Sequence, residues 1–175
     1  MAKALYQHKK EQMVQDQLIK RGIKNARVLD AFLSLDRHEF VASAIAHQAY
    51  EDAALPIAAG QTISQPYIVA KMTELLDLKG NEKILEIGTG SGFQAAILVT
   101  MGCTVFTIER HHVLYQSSRE IFKKLNLHVN ALFGDGTIGL PQEAPFDRII
   151  VTAGAPEVPQ SLMHQLADGG KLIIP

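Results

Sequence analysis

An apolar strand that runs straight into a glycine turn constrains this chain more than any other feature. In Lys83-Ile-Leu-Glu-Ile-Gly-Thr-Gly-Ser-Gly-Phe93, Ile84, Leu85 and Ile87 carry the strand pattern, and Gly88, Gly90 and Gly92 follow at alternate positions. A helix-compatible run from Phe93 to Met101 comes next. Glycine permits a tight turn and lets bare backbone approach a ligand, while the unpaired amides of a helix start point at whatever sits there. Strand, glycine turn and helix in that order form the cradle for nucleotide-like ligands in α/β domains. Beyond it the chain alternates: strand 83–87, helix 93–101, strand 104–109, helix 113–125, strand 128–133, strand 147–152, helix 160–167 and strand 171–175. Such alternation predicts an α/β fold whose parallel sheet is covered on both faces.

Spacing narrows the ligand. The dinucleotide fingerprint is G-x-G-x-x-G, shaped for a pyrophosphate, whereas Gly92 follows Gly90 by two positions and gives G-x-G-x-G. Glu86, inside the strand end, adds a carboxylate that would repel a pyrophosphate and suits a cation. S-adenosylmethionine (SAM) carries a sulfonium and an ammonium and has no phosphate. Two further strand ends fall where its adenosine needs them. Thr104–Ile108 ends at Glu109, followed by Arg110, and an acidic side chain there can accept both ribose hydroxyl hydrogen bonds. The strand at 128–133 ends in Gly134-Asp135-Gly136, an acceptor with glycine backbone beside it for the adenine amino group. The plainer readings are a solvated helix start for Glu109 and a turn or cap residue for Asp135. Three strand ends carrying suitable groups in order argue for the set Glu86, Gly88, Thr89, Gly90, Gly92, Glu109, Arg110, Asp135 and Gly136.

Composition limits the remaining choices. With 175 residues, 47% hydrophobic and 20% charged, the chain fits one soluble domain with a sizeable core. A net charge of −1 supplies no field toward nucleic acid or membranes. Residues 1–27 hold seven Lys or Arg, from Lys3 to Arg27, with Tyr6 the single Phe, Trp or Tyr among them, too few to stack successive bases, so they read as a solvated helix face. Cys103 is the single cysteine, which excludes an intrachain disulfide and makes a reducing, cytoplasmic setting natural. Its surroundings read as a buried strand start, not a nucleophile. No run reaches membrane-spanning length and no signal-peptide pattern opens the chain. His111 and His112 are adjacent and diverge, with no Cys, His or carboxylate at metal-ligand spacing, so no metal is expected. Asp147 and Glu157 read as solvated strand ends; Tyr67 either lines a cleft or packs.

The N-terminal part reads as helical. Val14 and Leu18 sit four apart before Gly22, and Val28/Phe32 and Leu29/Leu33 repeat that spacing after an Asn25 cap. After an irregular stretch over 48–65, Pro66 suits the first turn of a helix burying Ile68, Met72, Leu75 and Leu76.

The irregular stretch contains Gly60-Gln-Thr-Ile-Ser-Gln-Pro-Tyr67. Here the chain resembles the protein-L-isoaspartate O-methyltransferase family, SAM-dependent enzymes that repair damaged aspartyl and asparaginyl residues. The likeness includes Leu85-Glu-Ile-Gly-Thr-Gly-Ser-Gly92, Gly134-Asp-Gly136 and Phe146-Asp-Arg-Ile-Ile-Val-Thr-Ala-Gly-Ala-Pro-Glu-Val-Pro159, and runs collinearly from about Gln12 to the last residue. Ala58 stands where the family pattern has glycine. The resemblance implies a doubly wound, Rossmann-like SAM-dependent methyltransferase sheet, with residues 1–65 as N-terminal helices and active-site segment and 66–175 as the cofactor-binding core of one domain. It also implies Ser64 as the active-site serine, and Thr62 and Ile63 in a segment closing over the cofactor. From position alone Ser64 could instead cap the helix at Pro66.

The implied reaction is methylation of an isoaspartyl carboxylate in a peptide or protein, after which the ester closes to a succinimide unaided. A carboxylate with a pKa near ~4 is ionised at neutral pH, so no general base is needed. The family continues past Gly170-Lys-Leu-Ile-Ile-Pro175 with further strands. The expectation is therefore a sheet lacking its C-terminal strands, with an apolar fifth-strand edge open to self-association. Two other functions stand beside an active methyltransferase: a SAM-binding module with little turnover, and an NAD-linked dehydrogenase, which the glycine spacing disfavours.

Overall fold

The computed structural model describes residues 2–153 and 159–175. Its centre is a five-stranded, all-parallel sheet of β3 (Lys83–Ile87), β4 (Thr104–Glu109), β5 (Asn130–Phe133), β6 (Phe146–Val151) and β7 (Leu166–Ile173), in the order β5-β4-β3-β6-β7. The chain winds outward from β3 to β5, then returns to the other side of β3 for β6 and β7. The crevice where the direction reverses, at the carboxyl ends of β3 and β6, is where open α/β sheets bind ligands.

Period-2 alternation splits the core. Ile84, Val105 and Ile150 pack with Phe93 to Leu98 of helix α4 (Phe93–Thr100) and with the N-terminal helices. Leu85, Ile108, Phe146 and Ile149 pack on the opposite face with Leu162 of α6 (Gln160–Met163). Both faces are covered, which is why these strands read as nearly continuous apolar runs. Helix α5 (His112–Lys124) supplies Phe122 to the first face.

The N-terminal region is helical, as its spacing predicts, but it differs in detail. Helix α1 (Ala2–Met13) passes into a π-helical turn over Val14–Ile19, burying Val14 and Leu18. In α2 (Ala26–Ser34) the Asn25 side chain accepts from the Arg27 amide at 3.0 Å and caps the helix. Val28 and Phe32 are buried, whereas Leu33 is exposed, so one of the two expected stripes forms the contact face. The basic residues are not simply a solvated face. Lys10 is buried against Asp36 at 2.8 Å, Arg27 donates to the Met101 carbonyl at 2.6 Å, and Arg21 bridges both Asp52 oxygens at 3.1 Å. Arg21 also stacks over the Tyr67 ring, which places Tyr67 outside the cleft wall.

Helix α3 (Pro66–Leu75) starts at the predicted proline and buries Met72 and the following Leu76 as expected, but its face is turned from the one predicted. Val69, Met72, Thr73 and Leu76 form the buried stripe, while Ile68 and Leu75 are exposed. The two overlapping apolar stripes both satisfy helical spacing, and packing selects the one against α2 and α4. The expected helix over 160–167 is shorter. Gln165 leaves the helix to accept from the Leu140 amide at 2.7 Å and to donate to the Ile138 and Ser161 carbonyls, and β7 begins at Leu166. β7 pairs with β6 at Leu166 and again from Lys171, with the residues between them bulged out.

Candidate functional site

A cavity of about 400 Å³ opens at the switch point of the sheet, within the size range of small-ligand sites. Its floor is the ends of β3, β4 and β6 and the loop after β5. Its outer wall is the Gln61–Ser64 segment, which belongs to a short antiparallel hairpin of β1 (Leu55–Pro56) and β2 (Thr62–Ile63). The turn of that hairpin puts Ala59 in the left-handed region at φ 56°, followed by Gly60 at φ 66°. Ala58 does not need positive φ, so its departure from glycine costs nothing in this backbone.

The glycine loop divides into different tasks. Gly88 accommodates Thr152, whose hydroxyl donates to the Ile87 and Gly88 carbonyls; an added Cβ at Gly88 would lie 2.9 Å from that hydroxyl. At Gly90, with φ +54°, an added Cβ would meet only Ile57, in ordinary van der Waals contact at 3.7 Å. There the backbone is bare toward the cavity. Gly92 is the exception to the predicted set. It caps α4 and does not line the cavity, and a Cβ there would lie 2.7 Å from the Phe122 ring. Its glycine is required by helix packing.

Two carboxylates line the cavity, Glu86 on β3 and Glu109 at the end of β4, two residues beyond the Thr107 that pairs with Glu86. Glu86 is fully buried. One of its oxygens accepts from Thr107 Oγ1 at 2.5 Å, and Thr107 in turn meets Thr89 Oγ1 at 2.7 Å. Its other oxygen, Oε1, is buried with no partner among the described residues. Burial pushes the Glu86 carboxyl up to about 8. Glu109 is buried, not a solvated helix start: Oε2 accepts from the Gly90 amide at 2.9 Å and Oε1 from the His111 amide at 2.8 Å. A carboxylate has about four acceptor positions, so two remain for a ligand's hydroxyls.

On the far side, Asp135 accepts from the Thr137 amide at 2.9 Å and caps the turn Gly136–Ile138, the plainer role the sequence allows, while also lining the cavity. That hydrogen bond, with Arg110 nearby, holds its carboxyl below the usual carboxylate value. Gly136 packs on Ile87, with no room for a Cβ (2.5 Å). Ser64 stands on the opposite wall. It is not the cap of α3: the cap is Gln65, and no side-chain hydrogen bond closes that helix start.

Every predicted site residue except Gly92 therefore reaches one cavity: Thr62, Ile63, Ser64, Glu86, Gly88, Thr89, Gly90, Glu109, Arg110, Asp135 and Gly136. Sequence reading missed Thr107 and Thr152, which hydrogen-bond to Glu86 and to the Gly88 carbonyl, and Gln165, which ties the loop at 138–140 to α6. Thr107 pairs in register with Glu86, a relation that only the strand alignment reveals. His111 caps α5 and lines the cavity, whereas His112 packs edge-on to Phe133. Asp147 accepts from the Lys83 amide at 2.8 Å, so it ties two strand starts together. Glu157, and with it residues 154–158 of the Phe146–Pro159 motif, lie outside the described residues. Cys103 is buried, and burial raises its thiol to about 12, the opposite of what a nucleophile needs.

The unpartnered Glu86 oxygen suits a buried ammonium, the bare Gly90 backbone a close ligand, and the spare acceptors of Glu109 a diol. This donor and acceptor set fits SAM, and the fold and site together define a Rossmann-like SAM-dependent methyltransferase. The chain belongs to the protein-L-isoaspartate(D-aspartate) O-methyltransferase family, whose pattern matches residues 8–175. It is 56% identical over 167 residues to a protein-L-isoaspartate O-methyltransferase of Geobacter metallireducens, covering 95% of this chain and 77% of that one. A solved protein-L-isoaspartate O-methyltransferase superposes with a TM-score of 0.84 at 31% identity, covering 95% of this chain and 55% of the other. A second structure, from Plasmodium falciparum and in complex with S-adenosyl-L-homocysteine, superposes with a TM-score of 0.76 at 28% identity, covering 97% of this chain and 83% of the other.

Proposed function

We propose that this protein methylates the carboxylate of L-isoaspartyl residues in damaged proteins and peptides, with SAM as methyl donor, as a step in their repair. The observation that carries this reading is that the Gln61–Ser64 segment and the three strand ends enclose one cavity. When bound, SAM supplies a methyl group on a positively charged sulfur that leaves as a neutral thioether. The chain's own residues do the rest. Glu86 holds the ammonium with its unpartnered oxygen, Glu109 the ribose hydroxyls, and Asp135 with the Gly136 backbone the adenine edge. Gly88, Thr89 and Gly90 give the backbone its close approach, Arg110 flanks the ribose side, and Thr62 and Ile63 cover the site.

Ser64 donates its hydroxyl to one oxygen of the substrate carboxylate and so fixes the other in line. The substrate carboxylate is already ionised at neutral pH, and no residue on that wall need act as a base. What the protein provides is alignment and exclusion of the water that would otherwise solvate the nucleophile. The whole chain acts as one methyltransferase domain. A cytoplasmic setting agrees with a single buried cysteine, and no described helix is long and apolar enough to cross a membrane. The near-neutral charge balance favours a protein substrate over nucleic acid.

The test is a methyl-ester assay on paired peptides containing isoaspartate or normal aspartate, with SAM and NAD titrated by calorimetry. Methylation confined to the isoaspartyl peptide, with SAM bound and NAD ignored, is expected. SAM binding without any ester would leave only a binding module, and NAD binding would overturn the reading.

A further inference from the structure

Among the described residues Arg37 is the largest fully buried side chain, 1% exposed, in the short turn Arg37–Phe40. Its Nε donates to the Ala49 carbonyl at 2.7 Å and its Nη2 to the Ser64 carbonyl at 2.8 Å. The guanidinium lies 4.9 Å above the ring of Phe93, a residue of the cavity wall. Among the described residues no carboxylate pairs with it, and Nη1 is buried without a partner. An unpaired buried cation is costly, and burial draws this guanidinium down to about 9. Two carbonyls could be satisfied by neutral donors, so stability alone gives no reason for the charge.

The geometry gives one. The planar fork reaches two carbonyls from chain segments far apart in sequence, which a lysine or amide cannot do with the same rigidity. The Ser64 carbonyl lies immediately before a helix start that no side chain caps. On the outer side Gln65 donates to Asp52 at 2.9 Å, from the solvent-exposed surface. Arg37 is thus the buried anchor of the segment that carries Ser64. We propose that Arg37 is a positioning residue: it fixes the main chain at Ser64, and so the direction of the hydroxyl that orients the substrate carboxylate. This rests on the role assigned to Ser64 above.

The test is Arg37→Lys in the full chain, alone and combined with Ser64→Ala. Lysine keeps the charge and loses the fork. Amide exchange in residues 61–65, read by mass spectrometry, is expected to quicken by about tenfold while β3 and α4 keep their protection. The kcat on an isoaspartyl peptide should fall by about tenfold or more, the scale of a small misplacement. SAM affinity should stay within about twofold, and in the Ser64→Ala background Arg37→Lys should cost less than about a further twofold. Exchange that quickens throughout the chain in step with a lower Tm would make Arg37 merely structural and overturn the proposal, as would full additivity with Ser64→Ala. If Arg37→Lys does not fold, Arg37→Gln, which removes the buried charge but keeps a donor, takes its place with the same readouts. Ser64→Ala with undiminished turnover would instead sink the role of Ser64, while the exchange result decides separately whether Arg37 holds the segment.

Discussion

At the scale of single residues, Glu86 makes the site sensitive to pH. Burial raises its carboxyl to about 8 from an ordinary 4.5, opposed by the hydrogen bond from Thr107 and reinforced by the charge of Glu109. The folded protein therefore binds this proton more tightly than the unfolded chain does. Its contribution to stability is complete below about pH 4.5 and is lost progressively as pH rises to about 8. Without ligand, the Tm of the wild type should fall over that interval relative to Glu86→Gln, and parallel curves would refute the assignment. A cationic ligand reverses the preference, because it favours the ionised carboxylate. SAM binding near neutral pH should therefore expel a proton, visible in calorimetry as a heat that varies with buffer ionisation enthalpy, and Glu86→Gln should abolish the release. Glu109→Gln should weaken SAM by about 1.5–3 kcal/mol, the scale of a hydrogen bond to a charged group. It should also lower the Tm, because the Gly90 and His111 amides share that carboxylate. A Tm that falls with no change in SAM affinity would confine Glu109 to loop support.

At the scale of elements, the glycine loop shows how one motif serves two masters. Gly90 and Gly92 both have positive φ, +54° and +86°, so either alanine is strained. Of these two, Gly92 is the one whose Cβ position the protein itself occupies, through Phe122 of α5. Gly92→Ala should therefore lose about 1–3 kcal/mol more stability than Gly90→Ala, the usual cost of overpacking. Gly90→Ala should lose more SAM affinity, because Gly90 lines the cavity and Gly92 does not. The two variants should rank oppositely in Tm and in Kd, and the same order in both would refute this division of labour. The sequence revealed the strands, the loop and the three strand ends because local period and glycine spacing encode them. It revealed Met72 and Leu76 on the buried face of α3 but put Ile68 and Leu75 there in place of Val69 and Thr73, since both sets fit helical spacing and only tertiary packing separates them. The bulge of β7 and the hub at Gln165 were equally hidden, because they answer to hydrogen bonds with distant loops. Arg37, inside Asp36-Arg-His-Glu39, looks like a solvated charge until the fold closes over it.

At the scale of the molecule, the N-terminal helices and the α/β core share one interior. Phe32 of α2 and Phe40 meet Phe93 edge-on at 5.6 and 5.2 Å, and Phe93 opens the helix that follows the glycine loop. The Gln61–Ser64 segment lies between these parts, with the Ser64 carbonyl bonded to Arg37 on the N-terminal side and the chain continuing into α3 on the other. Were the N-terminal region a separate unit, it could melt while the sheet persisted, and the wall bearing Ser64 would be lost first. Shared aromatic packing argues against that: unfolding should be one cooperative transition, coincident by far-ultraviolet circular dichroism and by hydrogen exchange in α2 and in β3. Phe40→Ala should lower the stability of both regions together by about 3–5 kcal/mol, the usual cost of deleting a buried phenylalanine. SAM at a hundredfold excess over its Kd should raise both together by about 2.7 kcal/mol. If Phe40→Ala or SAM moved only one of the two probes, the chain would be two units, and the site would have to be assembled by docking rather than by folding.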